Sequence, residues 1–198
     1  MPEELAGRPQ ASGAHRLRLL KVADLDAEQR ALHTRIAGGP RAVDRGRIPI
    51  TDEEGRLVGP FAIMLLSPRV GDAVQAVGAA IRYGSLMTAR CRELSILTVA
   101  AQLGSGFEWN AHLEAGRTEG LTQDQLQALV DGVVPVNLNA VETLMVSVCR
   151  ALTVRRGLSD EEYRQAIDLL GAPGLAELVW LIGYYGSLAL ALDVFNPP

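Results

Sequence analysis

Apolar positions recur along this chain at helical spacing and almost nowhere alternate as they would in a strand. Val70, Val74, Val77 and Ile81 follow at steps of four, three and four, one stripe of a helix that ends near Gly84. Ser67-Pro68 stands before it as an N-cap with an N1 proline. Thr88 predicts the cap of the next helix, which Gly104 ends. From Leu94 to Leu103 that helix is apolar on nearly every side, so it is expected at the centre of the fold. Gly104-Ser105-Gly106 reads as a tight link into a helix ending at Gly120. Thr122 with Gln125, Asn139 with Glu142 and Ser159 with Glu162 are spaced as capping boxes. The second of these opens a helix to Arg156 with Gly157 as its C-cap, and the third a helix to Leu170. A last helix is expected from about Gly174 to Phe195.

Before the first of these, Asp26 to Ala37 reads as a short helix stopped by Gly38-Gly39. Residues 38–60 mix glycine, proline and charge without a helical period and read as a long loop. Residues 1–24 are polar and irregular, and the first dozen are expected to be disordered. Val133–Val136 is too short and isolated to promise a sheet. The expected class is all-α, with a flexible segment over 1–24 and one helical domain over 25–198. Arg92–Leu97 and Ala176–Leu181 both place one acid, Glu93 or Glu177, at the head of an apolar helix, a hint of a duplicated helical unit of ~80 residues.

Hydrophobic residues make up 48% of the chain, and that surplus points to a homo-oligomer. The net charge is -4 with no basic cluster, which argues against a nucleic-acid partner. The opening residues lack an apolar run of the kind a signal peptide needs. Leu175–Phe195 is apolar but broken by Glu177, two glycines and Asp193, so it reads as a buried helix and no membrane partner is expected. Cys91 and Cys149, with no secretion signal, are expected to be reduced in a cytoplasmic protein.

Three histidines are present. His15 and His33 have polar neighbours and read as solvated. His112 lies four residues after Glu108 on one helix, so the two share a face that Trp109 and Leu113 flank with apolar bulk. A carboxylate beside an imidazole fixes its tautomer and favours its protonated form, which suits proton transfer; a plain surface pair is the bland alternative. Glu93 follows Arg90 and Arg92 at the mouth of the most apolar helix. It is either a first-turn acid favoured by the helix dipole or a partly desolvated proton carrier. Tyr83, Tyr184 and Tyr185 are able to donate a hydrogen bond in a pocket, although buried tyrosines are more often core. Gly104-Ser105-Gly106 lacks the rest of a dinucleotide fingerprint. There is no Walker A, GxSxG or HExxH sequence, so no cofactor and no metal are expected.

These residues bear a resemblance. Leu86, Arg90, Arg92-Glu93-Leu94, then Glu108-Trp109 and His112, then Ala115 and Gly120-Leu121-Thr122 resemble the carboxymuconolactone decarboxylase family, whose superfamily includes alkylhydroperoxidase D. Gly59-Pro60-Phe61, Ser67-Pro68 and Leu181–Tyr185 extend the likeness to about residues 25–195. The resemblance implies an alkylhydroperoxidase D-like helical bundle, assembled as a trimer or hexamer. In the peroxidase branch a CxxC pair precedes the histidine. Those two positions fall here on Ser105 and Glu108, neither of which forms a thiolate or a disulfide.

The resemblance therefore implies the decarboxylase-type branch. The expected activity is a cofactor-independent decarboxylase, or a related proton-transfer lyase or isomerase, acting on a small carboxylic acid or lactone. His112 would be the general acid, Glu108 or Glu93 its partner, and Arg90 or Arg92 the anchor for the substrate carboxylate. Trp109, Ser105 and Tyr184 would line the pocket. Glu108 is the first choice as direct partner, because straight antiparallel helices would leave Glu93 offset from His112 by ~7 Å. The competing expectations are an alkylhydroperoxidase-like antioxidant and a non-catalytic binding protein on the same fold.

Overall fold

The computed structural model describes residues 15–39 and 50–198. The expectation of disorder over the first dozen residues lies outside these, as does the middle of the expected loop. The described residues form helices and no strands; a lone antiparallel bridge joins Thr51 to Leu57. A 3-10 turn at Val22–Asp24 precedes α1 (Ala27–Ala37), α2 (Gly59–Met64), α3 (Pro68–Tyr83) and α4 (Ala89–Leu103). After these come α5 (Gly106–Thr118), α6 (Gln123–Val130), α7 (Ala140–Val154) and α8 (Asp160–Phe195).

The chain divides into two compact units. The described residues before Ile81, with Leu190–Pro198, form one. There the Asp26 carboxylate accepts from Gln29 N at 2.8 Å, while Gln29 Oε1 accepts from Asp26 N at 3.0 Å, so the capping box that opens α1 is complete. Pro60 occupies the first turn of α2, a helix whose first two residues overlap the span that composition marks as a loop. Six residues are too few to show a period against the glycines around them. On α3, Val70 and Val77 are exposed, against the expected core stripe. The buried positions near them are Gly71 and Gly78. A Cβ at Gly71 would lie 2.3 Å from the Met64 carbonyl oxygen, so contact there depends on an absent side chain, which hydrophobicity does not reveal. His33 is not simply solvated, since its Nε2 lies 2.8 Å from the Gly55 carbonyl oxygen.

The second unit, Ile81–Ala189, contains α4 to α7 with the parts of α3 and α8 that fall in it. Its centre is α4, where Glu93 to Ala100 are buried without a break, and which packs on α5, α6 and α7. Thr88 Oγ1 accepts from Cys91 N at 3.2 Å and opens this helix. Gly104 closes it at φ 66°, a left-handed conformation that glycine takes without Cβ strain. Leu94, Leu97, Ala100, Trp109, Leu121, Leu126, Leu129 and Val146 make one continuous core. A Cβ on Gly116 would come within 2.7 Å of Leu97 Cδ1, so a glycine is what lets α5 lie so close to α4.

One helix end differs from the sequence reading. After α7 the left-handed residue is Arg156, at φ 57°, one position before the glycine expected to stop the helix. The two expected C-terminal helices meet at Gly171, whose non-helical backbone (φ 67°, ψ 168°) separates them within Asp160–Phe195. By length and composition α8 is able to cross a membrane, and 39% of its most apolar stretch is buried. Its buried side carries Leu178, Leu181, Ile182, Tyr184, Tyr185 and Leu188.

The cap of α7 offers a first test. Asn139 Oδ1 accepts from Glu142 N at 2.9 Å, so Asn139→Ala is expected to cost about 1 kcal/mol, read as a lower urea midpoint at unchanged slope.

Candidate active site

The hairpin of α4 and α5 brings together two side chains nineteen positions apart in sequence. His112 Nδ1 lies 2.7 Å from Glu93 Oε2, with both residues buried. Glu93 is the direct partner, against the expectation that Glu108 would be. Side chains four apart on one helix project side by side, so Glu108 runs alongside the ring, and its Oε2 stays 3.7 Å from Nε2, beyond hydrogen-bond reach. Glu93 comes from the facing helix and meets the ring at its other nitrogen. The close helix contact at Gly116 shows how tightly these helices pack, and the ~7 Å offset of idealised helices is closed.

The two carboxyls live under opposite pressures. Burial pushes Glu93 up, but the hydrogen bond to His112, with the charges of His112, Arg82 and Arg92, outweighs it and holds the group below the ordinary value. Glu108 has no such compensation, and burial pushes its carboxyl from 4.5 to about 7. Glu93 Oε1, Glu108 Oε1 and Arg92 Nε are buried with no hydrogen-bond partner, and Arg92 Nε lies 3.6 Å from Glu93 Oε1. Buried polar atoms without partners are costly and uncommon. Three around one imidazole fit a place where water or substrate atoms complete the bonding.

The structure distributes the other expected residues differently. Arg90 is committed elsewhere: Nε donates to Glu142 Oε1 at 2.7 Å, one terminal nitrogen to the Glu119 carbonyl at 3.1 Å and the other to Gln125 Oε1 at 3.4 Å. It ties the start of α4 to α6 and α7, and this engagement argues against a substrate-anchoring role. Arg92 keeps its place beside Glu93. Trp109 belongs to the hydrophobic core cluster that contains Leu94 and Leu97. Ser105 is buried before α5, and its hydroxyl does not cap that helix. Tyr185, not Tyr184, reaches the histidine. Its hydroxyl lies 3.4 Å from Nε2 and the rings meet edge to face, with centroids 5.3 Å apart. Tyr184 packs against Tyr185 in a second edge-to-face contact. Adjacent helical residues point about 100° apart, so one of the pair faces His112 directly.

Sequence reasoning gave no role to Arg82, whose charge acts on Glu93 and Tyr185. No motif surrounds it. Tyr185 did leave a signal, since it continues the stripe Leu178, Leu181, Tyr185, Leu188 of buried positions. Glu177, the supposed counterpart of Glu93, instead accepts a hydrogen bond from Leu86 N at 2.8 Å, so the internal echo does not repeat the site. A cleft of about 370 Å³ between Leu138–Val148 and Leu158–Leu169 contains none of these residues.

Cys91 and Cys149 are buried free thiols, and burial pushes Cys149 up to about 12. A thiol so far from ionising is a poor nucleophile at neutral pH.

The described residues form an all-α fold of the alkylhydroperoxidase D-like kind, in which a buried Glu–His pair bridges the two helices of a hairpin. Residues 68–151 match the model of the carboxymuconolactone decarboxylase family. Among solved structures, an Agrobacterium tumefaciens protein of unknown function, described as a candidate antioxidant defence protein AhpD, is 17% identical. That match covers 68% of this chain and 92% of that one, with a TM-score of 0.61. The debrominase Bmp8 is 10% identical over 91% of this chain and 89% of its own, with a TM-score of 0.66. A cysteine-to-alanine variant of Bmp8 in complex with 2,3,4-tribromopyrrole matches at 11% identity over 93% and 89%, with a TM-score of 0.63. Such identities speak for the fold alone. No curated protein sequence matches the chain.

Proposed function

We propose that this protein catalyses cofactor-independent proton transfer at a carbon next to a carbonyl, with decarboxylation of a small oxidised acid or lactone acid as the leading reaction. The observation that carries the reading is the buried pair of Glu93 and His112, with a second carboxyl, Glu108, poised near neutral beside the ring. Loss of carbon dioxide from an acid conjugated to a carbonyl leaves an enolate, which must be stabilised and then protonated at carbon. Glu93 holds Nδ1 and so orients the ring, leaving Nε2 as the working nitrogen. His112 exchanges the proton with carbon, and Glu108, which changes charge near neutral pH, resupplies or withdraws it. Arg92 supplies positive charge for the substrate carboxylate. The same groups would serve an isomerisation or a lactone opening.

The thiol-dependent antioxidant reading has less support, because Ser105 and Glu108 hold the positions a redox pair would need. The Cys91→Ala, Cys149→Ala double variant is expected to keep turnover within about threefold of the parent, with a modest stability loss from two shortened buried side chains. Loss of turnover in the folded double variant would point to thiol chemistry instead. The direct test is a screen of β-keto acids and lactone acids for carbon dioxide release. Release that depends on His112 supports the reading, and hydroperoxide reduction with a dithiol in its place overturns it.

A further inference from the structure

We infer that Tyr185 is a positioning residue for His112: its hydroxyl donates to Nε2 of the neutral ring, fixing the tautomer with its proton on Nδ1, and yields that nitrogen when the ring is protonated. The inference rests on the reading of His112 as the proton-transfer group, and adds a residue and a division of labour that the reading does not contain.

The geometry at the two ring nitrogens is unequal. Nδ1 lies 2.7 Å from Glu93 Oε2, and the charge-assisted bond to that carboxylate holds a proton on Nδ1. In the neutral ring Nε2 is then an acceptor, and it needs a donor. Two groups stand beside it. Glu108 Oε2, at 3.7 Å, offers a donor only while its carboxyl is protonated. The Tyr185 hydroxyl, at 3.4 Å, is closer and within hydrogen-bond reach. Burial, with the negative charge of Glu108 and the neighbouring Tyr184, pushes the Tyr185 phenol well above its ordinary range, so it remains an O–H donor at any working pH.

Protonation of Nε2 reverses the preference. An imidazolium presents an N–H at that nitrogen, which a Tyr185 proton would oppose and a Glu108 carboxylate would welcome. The ring thus keeps Glu93 at Nδ1 in both states and changes partners at Nε2. Among the groups that face it are Glu93 from α4, Glu108 from its own helix and Tyr185 from α8. Behind them, Arg92 lies 3.6 Å from Glu93, while Arg82 and Tyr184 act on Tyr185. The edge-to-face contact with His112 and a second one with Tyr184 hold the phenol in line. A tyrosine kept only for packing would not need its hydroxyl there, and phenylalanine would fill the same volume.

The test requires no substrate. Nitrogen-15 NMR of the histidine side chains reads tautomer and hydrogen bonding at each ring nitrogen, with His112 assigned from its absence in His112→Ala. In the parent, neutral His112 should carry its proton on Nδ1 and show a hydrogen-bonded Nε2. Tyr185→Phe should move the Nε2 resonance toward that of a free acceptor. It should also raise the pH at which His112 protonates, since a bond that favoured the neutral ring is gone. A net hydrogen bond of ordinary strength predicts a movement of about half a pH unit. Tyr184→Phe should leave both readouts in place, and 3-fluorotyrosine at 185, a stronger donor, should move them the opposite way. An Nε2–H tautomer in the parent, or an unchanged Nε2 resonance and midpoint in folded Tyr185→Phe, overturns the inference. These outcomes are separable from those of the proposed function. A screen without turnover removes the function and leaves the ring clamp, while turnover with no effect at Tyr185 does the reverse.

Discussion

His112→Ala is expected to lower turnover by about 10²–10⁴-fold, the range for removing a positioned general acid or base. The estimate follows from the placement of the ring. It is buried between two carboxyls and oriented through Nδ1 by Glu93, with Nε2 facing Glu108 and the Tyr185 hydroxyl. Alanine favours the helix, but it strips the Glu93 carboxylate of its hydrogen-bond donor inside the protein, so a stability loss of about 1–3 kcal/mol should accompany the variant. His112→Gln separates the two effects, since its amide is able to donate to Glu93 and cannot shuttle a proton. Comparable losses of turnover in both variants, with stability largely restored in the glutamine one, would locate the effect in proton transfer. Turnover that survives in either would remove His112 from the mechanism.

The second large effect concerns pH and stability. Burial pushes the Glu108 carboxyl from 4.5 to about 7 in the folded protein. Between those values the native state holds a proton that the unfolded chain has already released, so stability falls with rising pH. The contribution is fully present below about 4.5, and is lost as pH rises through about 7. At 1.36 kcal/mol per pH unit the total is about 3 kcal/mol. Glu108→Gln removes the titration and keeps the shape. Urea unfolding across this range should therefore show the parent losing about 3 kcal/mol relative to Glu108→Gln, while the opposite contribution of Glu93 is common to both and cancels. Parallel profiles would mean that the Glu108 carboxyl is not held in a desolvated site.

Much of this was legible in the sequence, because the signals were local. The caps at Thr88, Thr122, Asn139 and Ser159 all form, each needing only residues three positions apart. The apolar run of α4 is buried as its composition requires. Glu93, Glu108 and His112 were found by residue type, helix position and family pattern, and the structure gathers all three. What escaped depends on distances between elements. The choice of Glu93 over Glu108 as the ring's partner turns on how two helices pack, and the choice of Tyr185 over Tyr184 on the rotation of α8. Arg90 looked free for a substrate because Glu142 and Gln125, its partners, lie far along the chain. On α3 the rule of apolar inside held for Ile81 but misled at Val70 and Val77, which are exposed while Gly71 and Gly78 are buried.

The measurement closest to the central claim is deuterium incorporation. A panel of β-keto acids and lactone acids is incubated in heavy water with the parent, with His112→Gln and without protein. Carbon-bound deuterium is then read in the recovered compounds by mass spectrometry. The account predicts enzyme-dependent incorporation at the carbon next to the carbonyl for at least one acid, reduced by about 10²-fold or more in His112→Gln. Incorporation that is equal in the parent and in folded His112→Gln would contradict it.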